Sequence, residues 1–345
     1  MKSLLTSIAS IVTLAVAALG ATVGTAFACA GLIGSNGAVN LGKTTTLAAY
    51  HDGVEHYVTA FQFQGGGGQF GTLIPLPGVP TKVERGGGWT LQRLVRETQP
   101  QILAAQSARD VLESKAGAEV LLEVRIDALD ITVLKGGGAD VAVWAKEHGF
   151  RLSPDAPEVL AFYAERSPIF LAAVFDGSAA AERGQAVGDG TPVHITIPTD
   201  NPWVPLRILT LGKKSSDRVE AGVFLLTDRK PAILLGSGNE LELAHSAKAT
   251  SNLLNDLRED VGMEWVPASA WLTEVTVDAN AGDLDFDLAV DASGKDNPSR
   301  IAAGLEPPAK GGKDYPVALI AAVVAGVAML GAVAFRINKG SVTPS

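Results

Sequence analysis

Residues 44–64 read TTTLAAYHDGVEHYVTAFQFQ and contain the clearest structural signal in the chain. Asp52-Gly53 separates two segments of strand-like composition, and this dipeptide favours the two-residue type I′ turn of a β-hairpin. The turn fixes a register that pairs His51 with Val54, Tyr50 with Glu55 and Ala49 with His56. Period-two alternation then places three aromatic residues on one face, which we expect to be buried: Tyr57, Phe61 and Phe63.

The segments around this hairpin have mixed strand-like and helix-like patterns. Apolar spacing predicts helices near residues 89–114, 140–165 and 251–261. Strand-like composition covers 70–76, 118–134, 169–175, 192–197, 205–211, 219–227, 231–235, 270–277 and 283–290. The predicted fold class is α+β, mainly antiparallel sheet with a few helices and a C-terminal transmembrane helix. A division into two subdomains near residues 167–190 is left open beside a single domain.

The N-terminal residues 1–28 have the features of a secretory signal peptide. Lys2 precedes an apolar stretch, and the small residues Ala26 and Ala28 predict cleavage before Cys29. An uncleaved anchor is the alternative. Cys29 is the only cysteine in the chain, so no internal disulfide can form. Lipid attachment or intermolecular pairing at this residue stays open.

A second apolar run, residues 315–336, predicts a transmembrane helix. It carries no charge from Pro316 to Phe335, and about 20 apolar residues span the hydrocarbon core of a bilayer. The residues before it, 291–314, have the composition of a flexible stalk, and 337–345 form a predicted cytoplasmic tail. The two ends therefore predict a single-pass protein of the cell membrane, with residues 29–290 forming an extracytoplasmic domain.

Composition and glycine spacing bear on several function classes. The formal net charge is −9, which disfavours nucleic acid as a partner because that binding needs clustered Lys and Arg. The glycine runs 65–68, 86–88 and 136–138 lack the Lys-Ser or Lys-Thr that follows a phosphate loop. No G-x-S-x-G motif is present either. We therefore predict no cofactor and no catalytic residues, and leave open whether the chain is an enzyme.

His51 and His56 are the first candidate site, for a metal ion. They lie on one face of the predicted hairpin, on neighbouring strands, where diagonal residues are about 7–8 Å apart. Two imidazoles at that distance can converge on one metal. A metal site normally has a third protein ligand, and the sequence marks none. The alternative is a pair of histidines covering an exposed sheet face.

Two further candidates come from an acidic row and a tryptophan. Asp283, Asp285 and Asp287 alternate with apolar residues, so a strand would align them on one face, where oxygen ligands could bind Ca²⁺. The alternative is a solvated edge strand protected against pairing. Trp203 lies between prolines in a predicted rigid loop and is a candidate partner-binding residue. Its alternative role is packing in the core or against a loop.

Five segments in order resemble one bacterial family. They are YHDGVEHY at 50–57, FGTLIPLP at 70–77, WAKEHGF at 144–150, PTDNPWVPL at 198–206 and WLT at 271–273. Together they resemble the family called domain of unknown function 2330, over roughly residues 29–290. The resemblance implies a secreted or membrane-anchored bacterial protein and no particular activity. Family members often begin the mature chain with Cys-Gly-Gly and a second cysteine, whereas this chain has Cys29 alone.

Three functions remain in view from the sequence. The leading hypothesis is an envelope binding or interaction module whose partner is an unknown envelope protein or polymer. The second is an extracytoplasmic hydrolase, with a metal held by His51 and His56. The third is a structural component of the cell envelope.

Overall fold

The computed structural model describes residues 31–34, 44–62, 70–98, 119–184, 190–235, 240–295 and 297–308. The predicted signal peptide, the predicted helix over 101–114 and the predicted transmembrane segment lie outside these residues. Among the helices in the described part of the chain, none is both long and apolar enough to cross a membrane.

The described residues form strands and helices in mixed order. The strands are β1 Gly31–Gly34, β2 Thr44–His51, β3 Val54–Gln62, β4 Phe70–Pro75, β5 Lys82–Arg85, β6 Glu119–Ile126, β7 Leu129–Lys135, β8 Ile169–Phe175, β9 Gly190–Pro198, β10 Trp203–Val204, β11 Arg218–Thr227, β12 Ala232–Ile233, β13 Leu241–Lys248, β14 Trp271–Asn280 and β15 Leu288–Asp291. The helices are α1 Thr90–Thr98, α2 Gly138–Glu147, α3 Ala156–Ala164, α4 Gly177–Glu182 and α5 Ser251–Glu259. Short 3-10 helices cover Arg207–Thr210 and Ala281–Asp283.

A seven-stranded sheet is the centre of the fold, in the order β13-β14-β11-β2-β3-β9-β5. The β2–β3 hairpin has the predicted register, with His51 opposite Val54 and Ala49 opposite His56. Asp52 and Gly53 have φ values of 48° and 78°, as a type I′ turn requires. The strands pair antiparallel except β2 and β11, which run parallel. The hairpin prediction is therefore confirmed.

Both faces of this sheet are buried in apolar clusters. Leu47 and Val58 face one cluster, which includes leucines of α1 and α5. Tyr57 and Phe61 face the other cluster, as predicted, and are 1% and 3% exposed; Phe63 lies outside the described residues. Because both faces of the sheet are covered, water is excluded from its middle. A ligand from solvent can therefore reach the sheet at the strand ends and at its two edges.

The second face packs against the rest of the domain. A five-stranded antiparallel sheet has the order β1-β4-β8-β7-β6, and a three-stranded one has the order β10-β15-β12. Trp144 of α2 is buried in this cluster.

The α+β prediction is confirmed, with mostly antiparallel sheets and a few helices. The possible division near residues 167–190 stays a prediction; β8 within this interval and β9 at its end join different sheets.

Three predicted strands are wrong in part. The 118–134 segment is a hairpin, since Asp127 turns the chain with φ 58° and its carboxylate accepts a hydrogen bond from Arg85. The 205–211 segment is a 3-10 helix at 207–210. The 283–290 segment forms a strand only from Leu288. Part of the predicted stalk packs on the domain, where Ala303 is buried and its carbonyl accepts a hydrogen bond from the Asp287 amide.

Candidate functional site

A cavity of about 350 Å³ opens at the end of the seven-stranded sheet where β2 and β9 finish. Backbone hydrogen bonds build its walls. The Thr199 amide donates to the Gly53 carbonyl at 3.1 Å, and the Val290 amide donates to the Pro202 carbonyl at 3.1 Å. The lining residues are Tyr50, Asp200, Asn201, Pro202, Val290, Asp291, Ala292, Ser293, Asn297 and Ser299.

The lining is polar and acidic. Asp200 and Asp291 contribute carboxylates, and no Lys, Arg or His is among the described residues that line the cavity. The Asp291 carboxylate accepts hydrogen bonds from the Ser293 amide at 2.9 Å and the Ser293 hydroxyl at 3.1 Å. These bonds fix the orientation of that carboxylate at the cavity wall. The arrangement favours a ligand that carries positive charge and several hydrogen-bond donors.

Tyr50 joins the cavity to the sheet. Its hydroxyl donates to the Thr199 carbonyl at 2.8 Å. Burial raises the pKa of Tyr50, and the charges of Asp200 and Glu55 raise it further. The phenol therefore stays protonated at neutral pH and keeps its hydrogen bond to the loop that carries Asp200.

Glu55 lies opposite Tyr50 on β3 and is 1% exposed. Burial raises the pKa of Glu55 to about 8, and the backbone of Trp203 offsets a small part of that rise. Neither carboxyl oxygen makes a hydrogen bond of good geometry in the described part of the chain. The side chain is therefore a neutral acid at pH 7, because an unpaired buried carboxylate is too costly.

The predicted metal pair of His51 and His56 is not brought together. His51 Nδ1 lies 2.6 Å from Asp228 Oδ1 and His51 Nε2 lies 3.3 Å from Asp52 Oδ2. His56 instead contacts His194, with 2.9 Å between His56 Nδ1 and His194 Nε2. The two predicted ligands therefore belong to different clusters, although they lie on the same sheet face.

The second of these clusters is a partly buried stack of rings. His56 stacks on Trp265 with 3.9 Å between ring centroids and 5° between planes. Burial lowers the pKa of His56 to about 3 and that of His194 to about 4, and Glu84 partly offsets the latter shift. Glu84 Oε1 lies 3.4 Å from His194 Nδ1. Both imidazoles are therefore neutral at pH 7 and pack as aromatic rings.

The structure does not place Asp283, Asp285 and Asp287 on one face, as the predicted calcium site requires. Asp283 ends a 3-10 helix and accepts a hydrogen bond from Asn280 Nδ2 at 2.8 Å. Asp285 is exposed, whereas Asp287 is fully buried. The Asp287 carboxylate lies 2.6 Å from Arg166 Nη2. The chain does not follow a strand here, so these carboxylates do not point to one ion.

Trp203, the predicted partner-binding residue, is buried in this fold. It is 3% exposed and starts β10. Its ring stacks on Tyr163 with centroids 5.7 Å apart, and the Arg166 guanidinium lies 4.9 Å above the ring. The proline-bounded sequence indicated a loop, but the tryptophan packs in the core, which was the alternative.

Sequence reasoning missed Asp228, the contact of His56 with His194, and the cavity residues around Asp200 and Asp291. Two local signals pointed towards them. Asp228 directly follows a predicted strand, and Asp200 lies in the PTDNP segment. Neither signal identifies a partner, since the contact between His51 and Asp228 joins residues 177 positions apart.

The sequence profile of a family described as an uncharacterized protein conserved in bacteria, DUF2330, matches residues 23–288. The chain belongs to the DUF2330 family. This match confirms the resemblance carried by the five sequence segments. It supplies no activity for DUF2330 proteins. Among curated proteins, no significant relative of this DUF2330 chain was found.

Solved structures resemble this DUF2330 chain only loosely. A mutated baculovirus P35 after caspase cleavage has 8% identity and a TM-score of 0.37, over 73% of this chain and 99% of that one. A chain of the caspase-8/P35 complex has 7% identity and a TM-score of 0.36, over 73% and 96%. Baculovirus P35 has 8% identity and a TM-score of 0.34, over 72% and 96%. With TM-scores below 0.5, these likenesses carry no functional argument.

Proposed function

We propose that this DUF2330 protein is a membrane-anchored, extracytoplasmic binding module that recognises an ammonium group on a small envelope component. The observation that carries the proposal is the cavity lined by Asp200 and Asp291 without a basic residue among its described lining. The location rests on the apolar runs at the two ends of the sequence.

The chemistry of the lining fits an ammonium group. A protonated amine has three donors and no acceptor, and the cavity supplies carboxylate, amide and hydroxyl oxygens. A hydrogen bond to a charged group contributes about 1.5–3 kcal/mol, so charge dominates the selectivity. Binding pockets span roughly 300–1,000 Å³, which places this cavity at the small end. It therefore suits a ligand group about as large as a single amino sugar.

Glucosamine and glucose form a matched pair for testing this selectivity. They differ in charge but little in size, so isothermal titration calorimetry of the full chain is expected to show glucosamine binding at least about tenfold more tightly. Replacing Asp291 with Asn is expected to weaken glucosamine binding about tenfold. The asparagine oxygen can still accept from Ser293, so the turn is kept.

The exposed Asp285 offers the matched control. Asp285→Asn removes the same charge outside the cavity and should leave glucosamine binding unchanged. Equal affinity for the two sugars would show that charge is not recognised. Absence of glucosamine binding, or equal losses in both variants, would contradict the proposed ligand class.

The location is tested by removing the predicted anchor. Deletion of residues 315–345 is expected to release most of the protein into the soluble extracytoplasmic fraction, because one transmembrane helix is proposed to hold it. Deletion of 337–345 alone is the control and should leave the protein with the membrane. The measurement is immunoblotting of cell fractions, and retention of the longer deletion in the membrane would refute the anchor.

A further inference from the structure

We infer that His51, Asp52 and Asp228 form a binding site for a divalent transition-metal ion at the tip of the β2–β3 hairpin. One ligand atom from each of the three side chains lies within 4.8 Å of the other two. This inference does not rest on the ammonium-binding function, because it concerns a different site.

Strand register brings these residues together. β2 and β11 run parallel, and Thr227 pairs with Tyr50. The residues that follow, His51 and Asp228, therefore leave the sheet side by side. The type I′ turn then places Asp52 directly after His51, with φ 48°. Both carboxylates are thus positioned by backbone geometry.

The imidazole lies between the two carboxylates. Its Nδ1 is 2.6 Å from Asp228 Oδ1, and its Nε2 is 3.3 Å from Asp52 Oδ2. The side chains of His51, Asp52 and Asp228 are 37%, 85% and 46% exposed. An ion can therefore enter from solvent. Only one imidazole nitrogen binds a given ion, so the exposed carboxylates must turn towards that nitrogen, and ligand atoms within 4.8 Å of one another leave room for an ion between them.

The donor set selects the class of ion. The two carboxylates offer two negative charges, which a divalent cation neutralises, and the imidazole adds one nitrogen ligand. Zn²⁺ binds His nitrogen at about 2.0–2.1 Å and carboxylate oxygen at about 2.0–2.2 Å, commonly with three protein ligands and an open fourth position. Ca²⁺ and Mg²⁺ prefer oxygen ligands alone. The imidazole therefore favours zinc or a similar transition metal.

The site is separate from the cavity and from the His56 cluster. Tyr50 and His51 are consecutive on β2, so they face opposite sides of the sheet. His56 Nδ1 is directed at His194 and its ring is stacked on Trp265. A metal at the hairpin tip therefore uses Asp228 in place of the His56 that the sequence suggested.

Zinc binding to the untagged full chain, purified in mild detergent, tests the site directly. Equilibrium dialysis followed by elemental mass spectrometry is expected to find one Zn²⁺ per chain. His51→Asn and Asp228→Asn are each expected to weaken zinc binding at least about tenfold. These contacts are exposed and contribute little to stability, so both variants should fold, as circular dichroism can verify. Co²⁺ should give visible absorption bands that both variants lose.

Matched controls separate this site from other histidines and carboxylates. His245→Asn and Asp285→Asn make the same chemical changes elsewhere and should keep wild-type zinc affinity. A wild-type chain without bound zinc would overturn the inference. So would wild-type affinity in both site variants, or loss of zinc on His56→Asn instead. Glucosamine binding should survive Asp228→Asn, so failure at one site is distinguishable from failure at the other.

Discussion

Replacing Asp287 with Asn is expected to lower the free energy of unfolding by about 3–5 kcal/mol, the usual cost of removing one partner from a buried ion pair. Its carboxylate is fully buried and lies 2.6 Å from Arg166 Nη2. It also accepts hydrogen bonds from the Tyr163 hydroxyl at 2.8 Å and from the amides of Leu206 at 2.7 Å and Arg207 at 3.0 Å. Asparagine would leave the Arg166 charge unpaired and place amide hydrogens beside these donors.

Urea unfolding of residues 29–307 measures this loss, since the structure assigns those residues to one compact unit. Asp285→Asn, two positions away and exposed, is the control and should change stability by less than about 0.5 kcal/mol. A loss below about 1 kcal/mol for Asp287→Asn would mean that the network contributes little. Combining it with Arg166→Met should cost less than the two single changes together, because the unpaired charge is removed.

The second large effect is a loss of stability with rising pH, caused by Glu55. Its pKa is raised from 4.5 to about 8 in the fold. Above pH 4.5 the unfolded chain releases this proton while the folded chain retains it. Stability therefore falls by about 1.4 kcal/mol per pH unit until pH 8 and then levels off. Glu55→Gln cannot ionise, so its stability should lack this slope.

The measurement is urea unfolding between pH 6.5 and 9. In this window the histidines with lowered pKa values contribute little, because His56 and His194 cost stability only as the pH falls below 6.5. Glu220→Gln, an exposed change on β11, should keep the wild-type slope. An identical slope in wild type and Glu55→Gln would show that Glu55 is already ionised in the folded protein.

What the sequence could predict was local. Asp52-Gly53 specifies a turn through its own backbone preferences, so the register from His51 to Glu55 followed without any distant contact. The strand 169–175 followed from its composition, and the helices near 90 and 251 followed from apolar periodicity. These features depend on neighbours within a few residues, and the structure confirms them.

What the sequence could not predict depends on partners far along the chain. Asp127 turns the chain with φ 58°, and its carboxylate accepts a hydrogen bond from Arg85, 42 positions earlier. The segment after Leu206 becomes a 3-10 helix while its first amides are satisfied by Asp287 and by Tyr163. The candidate metal site also depends on a distant partner, because His51 contacts Asp228, which is 177 positions further along the chain. Pattern and spacing do not contain such pairings.

The parallel pairing of β2 with β11 also determines when the protein can fold. β2 lies inside the central sheet, yet one side of it has no hydrogen-bonding partner until residue 227 has been synthesised. The β2–β3 hairpin, made early, therefore presents an open strand edge while residues 63–227 are synthesised. Such edges pair readily with other chains, and contacts distant in sequence form slowly. A nascent chain is thus most prone to aggregation before β11 emerges, which makes this interval the one in which it most needs a chaperone.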